Sequence, residues 1–484
     1  MGIIKKVFGA SAIIILANGL NRLFAILSAP VLTRALGPAP YGIMALIGTV
    51  TSMASTLSLL GIDMSYARFY FSKTNTTSHA VEKFCWRYAI LSSIIIGILT
   101  SFFWQVLWGK SNNNFMIALI VGLTTLLFVI NTMSQTRARL RDEYNRMGLA
   151  IIVSGISATL ISISLALVWR RDEWPLLIGF VFGILINVII IGIPKSNLLL
   201  NKSGLTVKEK WPIIKLGLPG LITATMYWVL SSSDRWFLNY FWGKKVVGIY
   251  SFAYNVAIIG LVVNTAILLT WIPESIKTYE ENTDSASSLL GEVWGGLALS
   301  LSLIWLMVAS IGGDIIRFLA DSQFHPGAVY IPWIAGGVFF YGIASLANTG
   351  LLISKNMKPA AFWWVIGALV NLISNYFFIQ SWGAFGAAIT NCLSFGFISV
   401  GVMWNSSKLF KLNIPWKRLL IAGAFVLVMG LITNSSWHRY PALSICLKLP
   451  VCLVVSFLTA WFILPEWIKK VVSRLDRLIS EVKS

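Results

Sequence analysis

The amino-acid sequence predicts an all-α polytopic membrane protein with about fourteen transmembrane helices. Apolar residues fill 57% of the 484 positions and charged residues only 12%, roughly half the charged share of a soluble domain. Apolar runs of about 20 residues, enough to cross the hydrocarbon core of a bilayer, recur from one end of the chain to the other and leave no room for a sizeable soluble domain. The first run outlasts the apolar region of a signal peptide and offers no small-residue cleavage site, so it is expected to stay as the first helix.

Each element follows from where charge, proline and polar clusters interrupt the apolar runs. The first two helices, 10–33 and 40–61, are separated by Arg34 and "GPAP", and the second ends at "GIDMSYARFY". The next four, 88–108, 114–135, 147–169 and 174–194, lie between Arg87, Lys110, the Arg137 to Arg146 cluster, Arg170 and Lys195. After a Lys-rich connection come 213–240 and 246–272, split by "GKK", then 289–311, 327–353, 359–380 and 383–405. The last two are 417–434 and 441–464, followed by the amphipathic "PEWIKKVVSRLDRLISEVKS", which suits a helix lying on the inner leaflet.

Lysine and arginine set the orientation. With the N-terminus in the cytoplasm, connections on that side carry 27 of them and connections on the other side 9, while Arg22 and Lys448 fall within spans. Both termini are therefore expected in the cytoplasm. The bias accounts for most of the +20 net charge without nucleic acid, and Arg137, Arg139, Arg141 and Arg146 read as orientation signals.

"LTRALGPAPYGIMAL" from Leu32 and "LNYFWGKKVVGIYSF" from Leu238 align without gaps at an offset of 206, matching Leu32 with Leu238, Gly37 with Gly243, Gly42 with Gly248 and Ile43 with Ile249. An offset of six helices preserves orientation, so the expected plan is two six-helix bundles, 1–205 and 206–411, related by a parallel repeat. Residues 412–484 add two helices and the tail. In transporters such repeats place the substrate path between the bundles.

The stretches "PVLTRALGPAPYGIMAL", "LGIDMSYARFY", "SSSDRWFLNYFWGKKVVGIYSFAYN" and "WGAFGAAITN" resemble the polysaccharide or O-antigen (Wzx-type) flippases of the multidrug/oligosaccharidyl-lipid/polysaccharide exporter superfamily, over nearly the whole chain. The resemblance implies a flippase of the bacterial inner membrane. It would move a polyprenyl-pyrophosphate-linked oligosaccharide unit, destined for O-antigen, capsule or a related surface polysaccharide, to the outer leaflet by alternating access. It implies the sugar-lipid, the bilayer, a polysaccharide polymerase and chain-length proteins as partners, no cofactor, and ion antiport as energy source. A lipid-linked peptidoglycan precursor is the alternative cargo. A multidrug or cation antiporter of the same superfamily is the alternative function.

Arg22 is the leading candidate for the substrate cavity. An arginine at a span's centre costs about 2.5–3.5 kcal/mol and usually faces a bundle interior, and its planar fork suits phosphate oxygens. Asn18 and Asn21 extend the same polar face; the competing reading is that Arg22 pairs internally with an acid such as Asp63 or Asp234, or is satisfied by carbonyls. On the seventh helix the repeat places Trp228 level with Arg22, and Tyr227, Asp234 and Arg235 complete a polar-aromatic patch suited to sugar rings and charge, although most aromatic residues in such a chain form interfacial belts or packing. Tyr254 and Asn255 on the eighth helix are further cavity candidates. Asp63, Tyr66, Arg68 and Glu274 read as a cytoplasmic gate or as helix-boundary turns with surface ion pairs. Pro30 and the "GLPG" of Gly217, Pro219 and Gly220 are expected hinges. Lys448 either snorkels to the interface or meets a lipid phosphate in a groove formed by the last helices.

An enzyme acting on lipid-linked sugars would need a substantial outer loop, and no expected outer connection exceeds about twenty residues, so no catalytic residues are assigned. No phosphate-binding loop motif is present, which argues against direct ATP use. Cys85, Cys392, Cys446 and Cys452 are scattered without metal-ligand spacing, so no metal is expected.

Overall fold

The computed structural model describes residues 2–70, 78–108, 114–169, 171–194, 204–281, 283–410, 412–414 and 416–463. Every regular element among them is helical, as the apolar periodicity requires: in hydrocarbon, only helices or closed barrels satisfy all backbone groups. The expected amphipathic tail lies outside the described residues. The chain forms two compact units, Met1–Ser251 and Phe252–Ser484.

The first unit holds α1 (Gly2–Leu27), α2 (Ala29–Leu36), α3 (Pro38–Leu59), α4 (Ile62–Tyr70), α5 (Ser78–Trp108), α6 (Asn114–Leu140), α7 (Tyr144–Val168), α8 (Trp174–Ile191), α9 (Val207–Trp242) and most of α10 (Lys244–Ala257). α5 pairs with α6 and α7 with α8, as short connections favour; α1 packs along α7, and α3 against α5, α6 and α9. Pro30, near the start of α2, has no N–H to continue the preceding turn, and the axis bends 47° between 13–27 and Ala29–Leu36. The "GLPG" stretch behaves differently from the expected hinge. α9 runs unbroken through Pro212 and Pro219, and Gly217 instead admits a backbone crossing, since a Cβ there would sit 2.5 Å from Leu60 O.

The aligned glycines of the repeat meet each other. A Cβ on Gly42 would lie 1.9 Å from Lys244 O, and a Cβ on Gly248 would lie 1.7 Å from Pro38 O. Pro38 and Lys244 are themselves offset by 206, so the contact is reciprocal. Only glycine permits two helices to touch backbone to backbone in this way.

The second unit comprises α11 (Gly260–Glu281), α12 (Thr283–Leu319), a 3-10 turn over Ser322–Tyr330, α13 (Ile331–Ile353), α14 (Lys358–Leu409), α15 (Trp416–Thr433) and α16 (Pro441–Ile463). The 52 residues of α14 would extend roughly 78 Å as one rod at about 1.5 Å per residue, far more than one crossing. Gly383, at φ 56° and ψ −134°, folds the element back on itself. The Asn371 side-chain amide accordingly donates to Ser394 Oγ at 3.1 Å across the two arms. α15 and α16 pack on α12.

By length and composition, eleven described helices can cross a membrane, or thirteen when each bent pair, 13–27 with Ala29–Leu36 and Lys244–Ala257 with Gly260–Glu281, is one span. The sequence expects fourteen. The difference arises at Gly383, where two expected spans, 359–380 and 383–405, run together as one helical element.

Candidate functional site

On α1, Leu16, Leu20, Leu23 and Leu27 are exposed and, at about 100° per residue, fall on one stripe. Asn18 and Arg22 lie roughly 200° and 240° around from Leu16, on the face away from that stripe. Asn18 is exposed and Arg22 half-buried; the Asn18 amide donates back to Ile14 O at 2.8 Å. Asn21 packs against α7 so closely that a Cβ on Gly155 would overlap its side-chain oxygen. Thus Arg22 sits opposite the helix's apolar stripe, on a polar face it shares with Asn18.

Neither acid offered by the sequence pairs with it. Asp63 makes no ion pair among the described residues, and Asp234 is committed elsewhere. Asp234 Oδ1 accepts the Arg235 guanidinium at 3.1 Å and the Arg235 backbone N–H at 2.8 Å, and Oδ2 accepts the Tyr250 hydroxyl at 2.5 Å. Arg235 also donates to Ser231 O at 2.7 Å and lies 5.8 Å from the Tyr250 ring centre. Both charged residues are buried. Asp234 and Arg235, expected as cavity groups, thus form a buried charge cluster whose attraction and hydrogen bonds compensate part of the cost of burial.

Trp228 is likewise anchored within the unit. Its indole N–H lies 2.9 Å from Thr49 O and 3.2 Å from Ser52 Oγ, and the Trp236 indole donates to Thr49 Oγ1 at 3.1 Å. The two rings help line an apolar cavity of about 420 Å³ with residues of α3 and α5, among them Met53, Leu57 and Phe103. Tyr227 is half-buried on the same helix. In the second unit, Tyr254 is half-buried and Asn255 exposed.

Within the first unit, Asp63 and Arg68 form no ion pair among the described residues. Arg68 is exposed, and Glu274 is exposed in the second unit. Tyr66 is instead fully buried on α4, beside Glu82; burial and then that carboxylate push its hydroxyl above the ordinary tyrosine range. Glu82 itself takes Arg137 Nε at 2.9 Å.

Lys448 is also placed otherwise than expected. It is fully buried, so it neither snorkels nor faces a groove. Its ammonium donates to Asp314 Oδ2 at 2.6 Å and to Ser310 O at 2.9 Å. Asp314 further accepts Ser436 Oγ at 2.7 Å, Ser444 Oγ at 2.9 Å and Arg317 Nη1 at 3.2 Å. Three helical elements are pinned here: α12, α16 and the turn after α15.

The family model described as polysaccharide biosynthesis protein matches residues 9–279. The chain belongs to that family. No curated protein matches it by sequence. Among solved structures, the chain is similar to the lipid II flippase MurJ in an inward closed conformation, with a TM-score of 0.72 at 15% identity over 94% of this chain and 99% of that one. It is also similar to an inward-facing multidrug resistance MATE family transporter of the MOP superfamily, with a TM-score of 0.57 at 12% identity over 82% and 96%. At these identities the likeness is one of fold. The chain is thus a multi-pass membrane protein with the fold of MOP-superfamily transporters.

Sequence reasoning missed that Glu82, Asp234 and Asp314 are buried and that each is met by a cation: Arg137, Arg235 and Lys448 respectively. Only the pair on neighbouring residues was visible as a pattern. The other two join residues 55 and 134 positions apart.

Proposed function

We propose that this protein is a flippase that carries a polyprenyl-pyrophosphate-linked oligosaccharide from the cytoplasmic to the outer leaflet of a bacterial inner membrane by alternating access, and that it is not an enzyme. Family membership supports the polysaccharide context. The observation that carries the reading is the place of Arg22, half-buried on the polar side of α1 opposite the leucine stripe. A pyrophosphate is a dense anion, and an arginine fork replaces part of its hydration inside a span. A cation exporter would instead favour a buried carboxylate held open for its substrate, whereas each of the three described above already holds a cation.

In this reading the chain is organised as 1–205, 206–411 and 412–484, with both termini in the cytoplasm and the contact of Gly42 with Gly248 at the outer ends of the repeats, where it closes the exit. Polysaccharide polymerase and chain-length proteins are the expected neighbours. The test is complementation: the gene is expressed in a strain lacking its polysaccharide flippase, and in parallel in one depleted of its peptidoglycan-precursor flippase. Restored surface polysaccharide in the first alone supports the proposal. Rescue of the second alone assigns the peptidoglycan precursor as cargo and overturns it.

A further inference from the structure

One end of the first unit holds a second constellation, made of residues that the proposed transport path does not use. His79 and Glu82 at the start of α5, Arg137 and Arg141 at the end of α6, and Glu143 and Arg146 around the start of α7 line a cleft of about 500 Å³ with the chain leaving α8. Orientation in the membrane requires only that basic side chains remain in water at the proper end. Here they are also held in place. Glu82, 4% exposed, accepts Arg137 Nε at 2.9 Å and lies 3.5 Å from Arg141 Nη2. Arg146 Nε donates to Ile190 O at 2.5 Å, and its Nη1 to Glu143 Oε2 at 3.2 Å. Gly192, at φ 82°, turns the chain closely past that guanidinium, so that a Cβ would sit 3.4 Å from Arg146 Nη2.

These bonds use only some of the five N–H donors that each guanidinium carries, and the remainder of the three forks lines the cleft. Three arginines against two glutamates leave a net charge of +1 before His79 is counted. Arg139, on the same helix, is exposed, donates to Thr136 Oγ1 at 2.9 Å and takes no part in the cleft. The rim is apolar where Ile193 stands 53% exposed. Fixed guanidinium forks above an apolar rim, at the ends of four membrane-length helices, fit an oxyanion whose other end is greasy.

We propose that this cleft binds the phosphate of an anionic lipid headgroup. The site stands on its own geometry and does not depend on the transport reading. Soluble phosphate offers the same chemistry, so the experiment has two arms. Full-length protein is placed in phosphatidylcholine nanodiscs, and binding of added phosphatidylglycerol is read by native mass spectrometry and thermal unfolding. A second arm adds orthophosphate or pyrophosphate instead of lipid. R141Q/R146Q leaves the Arg137–Glu82 pair intact and should lower phosphatidylglycerol retention by about tenfold or more, the worth of at least one charged hydrogen bond. R141K/R146K should lose less, because the charge stays while the fork is lost, and R139Q should match wild type. Protection by pyrophosphate that vanishes in R141Q/R146Q supports the phosphate site and assigns it a soluble source. Equal lipid retention in wild type and R141Q/R146Q with no arginine-dependent phosphate effect overturns the proposal, as does an equal loss in R139Q, which would mark bulk charge attraction.

Discussion

Alanine at Gly248 probes the crossing of the two repeats. The added Cβ would lie 1.7 Å from Pro38 O, whereas ordinary contact begins at 3.4 Å, so the backbones must part by 3.4 − 1.7 = 1.7 Å. The obstructing atom is a main-chain carbonyl, and no rotamer change relieves it. Overpacking of this kind costs about 1–3 kcal/mol, which disfavours every state in which α3 and α10 touch by roughly 5- to 150-fold. States in which these ends separate carry no such penalty. Spin labels at Ala39 and Lys245, a repeat-related pair beside the crossing, read the separation directly, and the complementation assay reads transport. G248A and G42A should both shift the distance distribution outward and reduce surface polysaccharide. G48A is the control, since nothing lies within 4 Å of the carbon it adds to α3. A wild-type distance distribution and thermal stability in G248A would refute the backbone crossing and the exit closure built on it.

Three further outcomes are expected. At matched expression, R22A and R22Q should fail to restore surface polysaccharide while R22K retains part of it; normal function of R22A removes the cargo contact. K448M should lower stability by about 3–5 kcal/mol, because Asp314 loses the ammonium that compensates its burial, and D314L/K448M should regain most of that loss; thermal unfolding in detergent checks this, and a fully stable K448M contradicts it. G383A should cost roughly 1–3 kcal/mol by forcing a Cβ into φ 56°, measured in the same way; no loss of stability would argue against the fold-back at that residue.

Hydropathy made the membrane architecture legible because a span must be apolar along its whole length, and the turn glycines could be aligned at one offset because their spacing is a local matter. Gly42 and Gly248 could be aligned from sequence; that they touch could not, since the offset says what is equivalent and nothing of what is adjacent. The "GLPG" stretch misled for a related reason. Proline weakens a helix, but packing decides whether it breaks, and the crossing of Gly217 at Leu60 and Gly61 gives α9 a reason to continue. Lys448 was visible as a cation inside a span. Its partner Asp314 was not, because it lies beyond the expected end of its helix at 311, whereas α12 continues to Leu319.

The in-span charges sort by what they hold rather than by where they fall. Lys448 and Arg235 each lie within 4 Å of a buried carboxylate, and such pairs offset their own desolvation while giving up the capacity to bind anything else. Arg22 is half-buried on α1, and the sequence offers no acid within ten residues of it. In the proposed function Arg22 meets the anion, a role that its place on the polar side of α1, away from the leucine stripe, supports. The R22K variant separates this role from a structural one, since a lysine preserves charge for a passing pyrophosphate more faithfully than it preserves the geometry of a structural fork.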